Sequence, residues 1–164
     1  MHTRFGLWLA VSVIVIALDQ GTKHAVAAYL GINQSIPVTS FFDLILVLNT
    51  GAAFSFLSSA SGWQRWFFVA LALAVSVWLV TLLHRHAHER LLPLSFSLVL
   101  GGAIGNVIDR LLHGAVVDFL HFHLGKYYWP AFNVADSAIT VGVVLLIWDQ
   151  LRGRERKTDV PEPR

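Results

Sequence analysis

The sequence predicts an α-helical polytopic membrane protein with four transmembrane helices and a small extracytoplasmic β-rich segment. Three observations carry that reading. The chain is too apolar for a water-facing domain of its size: of 164 residues 55% are hydrophobic and 13% charged, and the mean hydropathy is +0.62. The apolar residues gather into stretches at about 7–28, 66–83, 91–112 and 132–151, each near the roughly 20 helical residues needed to cross a hydrocarbon core of about 30 Å. Between the first two stretches lies a run of a different kind, Phe41-Phe42-Asp43-Leu44-Ile45-Leu46-Val47-Leu48, rich in β-prone residues and too short to span.

The first stretch has some features of a secretory leader, since Arg4 precedes an apolar run and Ala25-Val26-Ala27 imitates a cleavage site. Asp19, Lys23 and His24 argue for a retained span, because a leader tolerates charges poorly in or just after its apolar core. Lysine and arginine in the short connections set the orientation. Arg4, the pair Arg85 and Arg90, and the group Arg152, Arg154, Arg156, Lys157 and Arg164 belong to one side; Arg65 and Lys126 belong to the other, with Lys23 and Arg110 at span ends. Both termini are therefore expected in the cytoplasm. Segment 31–65 then lies outside, with a short strand or hairpin over the membrane surface and Ser58-Ser59-Ala60-Ser61-Gly62 as a loop before span two. Residues 1–151 are expected to form one integral membrane domain. The charged, proline-containing tail 152–164 is expected to be disordered.

Ionisable residues in or beside spans are costly, so each is a functional candidate. With this topology one group of polar residues converges on the outer face: Asp19 and Lys23 at the end of span one, Asn49 in the first loop, Asn106, Asp109 and Arg110 closing span three, Asp118 in the second loop, and Asn133 and Asp136 opening span four. Residues three or four apart share a helical face, which pairs Asp19 with Lys23, Asn106 with Asp109 and Asn133 with Asp136. An ion pair or a snorkelling lysine accounts for Asp19 and Lys23 without chemistry, and an interfacial salt bridge accounts for Asp109 beside Arg110. Asp118 and Asp136 are harder to explain as structure, being set among apolar neighbours in Val116-Val117-Asp118-Phe119-Leu120 and Phe132-Asn133-Val134-Ala135-Asp136. The first turn of a helix favours an ionised carboxylate at Asp136. Two carboxylates in a low-dielectric site titrate as a pair, one serving as general base while its protonated partner acts as acid. A proton relay in a small transporter would use the same two residues. It should, however, carry polar residues across the bilayer midplane, and here the inner halves of the spans are nearly uncharged.

Other chemistries are excluded or poorly supported. Without cysteine the chain has no disulfide, thiolate ligand or cysteine nucleophile. His88-Glu89 lacks the second histidine of a zinc-protease helix, His84, His86 and His88 read as a polar cytoplasmic connection, and His121 and His123 alone make a poor zinc site. There is no G-x-S-x-G elbow. Scattered basic residues do not make a nucleic-acid face, and none is expected as a partner. Gly101, Gly102 and Gly105 permit close helix packing, while Gly51-Ala52-Ala53 would leave room for a substrate chain beside Asn49.

Five ordered blocks resemble the lipoprotein signal peptidase (signal peptidase II) family: Asp19-Gln20-Gly21-Thr22-Lys23, Asn49-Thr50-Gly51-Ala52-Ala53-Phe54, Gly105-Asn106-Val107-Ile108-Asp109-Arg110, Gly114-Ala115-Val116-Val117-Asp118-Phe119 and Trp129-Pro130-Ala131-Phe132-Asn133-Val134-Ala135-Asp136. The resemblance implies a bacterial inner-membrane aspartyl endopeptidase, using no metal or other cofactor. Such an enzyme cuts diacylglyceryl-modified prolipoproteins before the lipidated cysteine. Its catalytic pair would fall on Asp118 and Asp136, its substrate contacts on Asn49, Asn106, Arg110 and Asn133, and supporting roles on Asp19, Lys23 and Asp109. Lipidated precursors and membrane lipids are the partners implied, and a monomer is expected. The resemblance further implies a small sheet and a surface helix within 31–65. Gly21 departs from it, where a bulkier apolar residue is expected in span one.

Overall fold

The computed structural model describes residues 2–51 and 62–158. In chain order they form α1 (His2–Tyr29), β1 (Ser35–Pro37), β2 (Phe42–Asn49), α2 (Trp63–Arg85), α3 (Leu91–His113), β3 (Val116–Leu124), β4 (Tyr127–Tyr128) and α4 (Val134–Thr158). The four helices are all long and apolar enough to cross a membrane. Helix α3 is central, packing against each of the other three. Its apolar window is 56% buried, whereas those of α1, α2 and α4 are 17%, 22% and 11% buried. Their exposed Leu7, Ile14, Val77, Trp78, Val144 and Ile147 show what an aqueous core would have hidden and a lipid solvent need not.

Small residues let the helices approach α3. A Cβ on Gly101 would lie 2.8 Å from the Ser12 carbonyl oxygen of α1, and one on Gly105 would lie 2.6 Å from Asp19 Oδ2. A Cβ on Gly102 would run into Ala135 and Ile139 of α4, and one on Gly142 would come within 2.8 Å of the Ser95 carbonyl of α3. All three glycines of α3 thus sit at helix contacts. Gly21 does not: a Cβ there meets nothing within 4 Å, so the departure noted in span one leaves the packing undisturbed.

One end of the bundle is tied by Arg4 Nη1 donating to the His88 carbonyl (3.2 Å) and Trp8 Nε1 to that of Ala87 (3.1 Å), which sets the start of α1 beside the α2–α3 turn. The other end carries an antiparallel sheet of order β1-β2-β3-β4. Gly114, at φ 78°, ends α3 in a left-handed turn that a side chain would strain, and sends the chain straight into β3. The buried face of the sheet, Leu46, Val117 and Phe119, packs on Val26 and Leu30 at the end of α1.

Pairing of β2 with β3 contains a one-residue irregularity. Phe42 and Leu44 face Phe122 and Leu120, but beyond it Val47 and Asn49 face Asp118 and Val116. The extra residue reverses the alternation of β2, so that Asn49 joins the sheet face of Asp118. Regular pairing would have put Leu48 there.

Two expectations change. Helix α4 continues to Thr158, so residues 152–158, expected to be disordered, are helical. Arginine, glutamate and lysine, which make up most of this stretch, are residue types of good helix propensity. Span four also begins at Val134, leaving Phe132 and Asn133 outside the helix. The expected sheet in 31–65 is present as β1 and β2. Among the described residues of 31–65 no separate surface helix is present, and Ala52-Ala53 and most of the loop at 58–62 lie outside the described residues.

Candidate active site

Asp136 stands in the first turn of α4, where Asn133 caps the helix. The Asn133 Oδ1 accepts the Asp136 backbone N–H (2.9 Å), and Asp136 Oδ2 accepts that of Asn133 (3.3 Å). This reciprocal arrangement is a capping box, satisfying two N–H groups that the helix start leaves free. The three-residue spacing expected to place Asn133 and Asp136 on one helical face is therefore that of a cap and the third helical residue.

The same Asn133 reaches across to β3. Its Nδ2 donates to Asp118 Oδ1 at 2.8 Å, with the Val117 carbonyl and Asn106 Oδ1 each at 3.3 Å. One fully buried asparagine thus touches both candidate carboxylates. Each carboxylate has a second amide donor: Asn49 Nδ2 to Asp118 Oδ2 (3.1 Å) and Asn106 Nδ2 to Asp136 Oδ1 (2.8 Å). Asp118 is 2% exposed. Burial first, and then the negative charge of Asp136, push its carboxyl up to about 7, while hydrogen bonds from Asn49 and Asn133 and the charge of Lys23 pull it down.

Asp118 and Asp136 open onto one cavity of about 310 Å³, shared with Asn49, Asn106 and Arg110. Trp129, Phe132 and Ile139 form part of its apolar wall. Arg110 donates through Nη2 to the Gly51 carbonyl (3.0 Å) and lies over the Phe68 ring at 5.1 Å. Its Nε is buried, with no hydrogen-bond partner among the described residues. The lining is mixed, apolar side chains together with amides, carboxylates and a guanidinium.

Behind the cavity Lys23 lies between Asp19 (2.7 Å) and Asp109 (2.8 Å), all three side chains being buried. Asp109 therefore pairs with Lys23 of α1, the interfacial pairing with Arg110 being absent. The structure brings every predicted site residue to this end: Asn49, Asn106, Arg110, Asn133, Asp118 and Asp136 at or beside the cavity, and Asp19, Lys23 and Asp109 behind it. Sequence reasoning gave no role to Gln20, whose Nε2 donates to Asp109 Oδ1 (2.8 Å) and the Gly105 carbonyl (3.2 Å). An amide beside an acid in an apolar helix was a visible signal. The wall residues Trp129, Phe132 and Ile139 carried no such signal.

His121 and His123 share the opposite face of β3 from Asp118. Asp43 of β2 approaches both, its oxygens 3.8 Å from His121 Nδ1 and 3.3 Å from His123 Nε2, and Tyr128 stacks on His121 at 5.7 Å. Among the described residues, no three histidine, aspartate or glutamate side chains are grouped to hold a metal ion.

The family model described as Signal peptidase (SPase) II matches residues 11–152. The chain is 60% identical over 152 residues to a protein of Azoarcus sp. (strain BH72) named lipoprotein signal peptidase, covering 93% of this chain and 86% of that one. It is 57% identical over 145 residues to a protein of the same name from Burkholderia multivorans, covering 88% and 87%. Among solved structures it is similar to a bacterial membrane enzyme determined by the in meso method at 2.3 Å resolution. That likeness has a TM-score of 0.84 and 32% identity, covering 96% of this chain and 95% of that one.

Proposed function

The chain belongs to the signal peptidase II family, and from that premise we propose that Asp118 and Asp136 form the aspartyl protease pair with which it removes signal peptides from diacylglyceryl-modified prolipoproteins, cutting before the lipidated cysteine. The observation that carries this reading is Asn133, which bonds both carboxylates at the wall of one cavity. Two interacting buried carboxylates titrate as a pair, in which one is ionised while its partner keeps a proton. The ionised member takes a proton from water as it attacks the scissile carbonyl carbon. Its protonated partner donates to the carbonyl oxygen, and collapse of the tetrahedral intermediate transfers a proton to the leaving amine. Asn49 and Asn106 each hold one oxygen of the pair and Asn133 the other, which fixes both carboxylates at the cavity wall for water and peptide. The guanidinium of Arg110 is placed for a peptide carbonyl or a lipid headgroup.

The protein is a multi-pass membrane protein. The lysine and arginine distribution supports an orientation with both termini in the cytoplasm and the sheet end outside. A diacylglyceryl anchor, held in lipid by about 0.8 kcal/mol per methylene, fixes the scissile bond at the depth where such a site would lie.

The test is cleavage of one precursor in lipidated and unlipidated form by purified enzyme with chelator present. We expect the lipidated form alone to be cut, at an unchanged rate, and Asp118→Asn and Asp136→Asn each to abolish cleavage while accumulating in the membrane. Substantial turnover by either variant removes the pair from the mechanism.

A further inference from the structure

We propose that Lys23 is a positioning residue: by tying Asp19 to Asp109 it sets the separation of Asp118 and Asp136. The geometry is symmetrical about the ammonium. Asp19 Oδ2 (2.7 Å) and Asp109 Oδ2 (2.8 Å) both accept from Lys23 Nζ. Each of these carboxylates also holds a backbone N–H one residue before a member of the pair. Asp19 Oδ1 accepts from Ala135 at 2.9 Å, and Asp109 Oδ2 accepts from Val117 at 3.0 Å. The third N–H of Lys23 goes to Asn106 Oδ1 (3.2 Å), whose own Nδ2 holds Asp136. The ammonium therefore has no donor left for substrate, and Lys23 does not line the cavity. Its influence passes through α1 and α3 to the start of α4 and the start of β3.

A cation is required at this point because two buried carboxylate oxygens converge on it. Without it they repel, and Ala135 and Val117 are carried apart with them. Folding alone would be served by any well-packed apolar side chain between the two acids' neutral counterparts. A buried cation that grips the backbone of both halves of the cavity suits a site that needs fixed spacing. The inference rests on the Asp118 and Asp136 assignment above.

The experiment compares Lys23→Met, the double variant Lys23→Met/Asp109→Asn and Asp118→Asn as purified enzymes on a lipidated precursor, measuring kcat, KM and the pH profile. The double variant removes the cation with one of its two anions. It keeps the net charge of the cluster and an oxygen for the Val117 N–H, so it keeps the test open should the single variant fail to accumulate. We expect kcat to fall about 100-fold with KM changed by no more than about threefold, the signature of a misplaced reacting group. The acidic limb of the profile should move to higher pH, since Asp118 and Asp136 lose the charge of Lys23 and are left with Asp19, with Asp109 in the single variant, and with Arg110. If Asp118→Asn is inert but either Lys23 variant keeps kcat within about threefold, the tie is overturned and the pair stands. A rise in KM alone makes Lys23 a substrate contact, and failure of the double variant to accumulate makes it a folding residue; either result overturns the proposal. Turnover by Asp118→Asn overturns pair and tie together.

Discussion

Asp118 shows how a buried carboxyl opposes the fold that holds it. Its carboxyl is raised from 3.8 to about 7, so the folded chain binds that proton more tightly than the unfolded chain does. The stability linked to this group is fully present below about pH 4 and is lost as pH rises through about 7, a change of about 4 kcal/mol for a nearly buried group. Asparagine cannot ionise. The thermal midpoint of Asp118→Asn relative to the parent should therefore rise between pH 5 and pH 8, whatever the pH-independent cost of the substitution. A difference that stays flat or narrows over that range would mean Asp118 is not protonated in the fold. That the residue is a candidate was legible in the sequence, because an acid among valines, phenylalanine and leucine is hard to explain as structure. What it bonds to was not. Asn133 was readable as polar and near Asp136, but its part as helix cap and bridge depends on β3 lying within 3 Å of its amide, a contact between elements that local spacing does not encode.

At the scale of elements, register decides which side chains share the cavity. The run Phe41 to Leu48 is recognisably β-prone, yet strand composition is silent about where an extra residue interrupts the pairing. That interruption between Leu44 and Val47 turns Asn49 onto the face of Asp118. One alanine inserted between Leu48 and Asn49 should return Asn49 to the face of Val117 and lower turnover by about tenfold or more, matching or exceeding Asn49→Ala. The same insertion beside Ser40, in the exposed β1–β2 turn, should be tolerated. Equal activity from both insertions would remove Asn49, and the irregularity, from the site. The helices were legible for the opposite reason: a span is specified by length and apolarity summed over many residues, and four such sums leave little freedom. Their ends were less so. Helix α4 outlasts its apolar stretch because charged residues leaving a membrane can continue a helix as readily as end it.

The whole molecule is divided by polarity along its length. Nearly every buried acid and amide lies at the sheet end, while α1, α2 and α4 present apolar side chains outward over most of their length. On the proposed function, an enzyme so built would meet its substrate within the lipid phase, where the hydrophobic effect confines both partners. The concentration that governs encounter is then substrate per unit of lipid or detergent, and the bulk concentration matters little. At fixed amounts of enzyme and lipidated precursor, raising the detergent should slow cleavage in inverse proportion once substrate falls below its KM, because the same molecules are spread through more micelle. Adding precursor in proportion to detergent should restore the rate. A rate that followed the bulk concentration and ignored detergent would mean that the precursor arrives from water, and that the cavity beside Asp118 and Asp136 reads the peptide without its anchor.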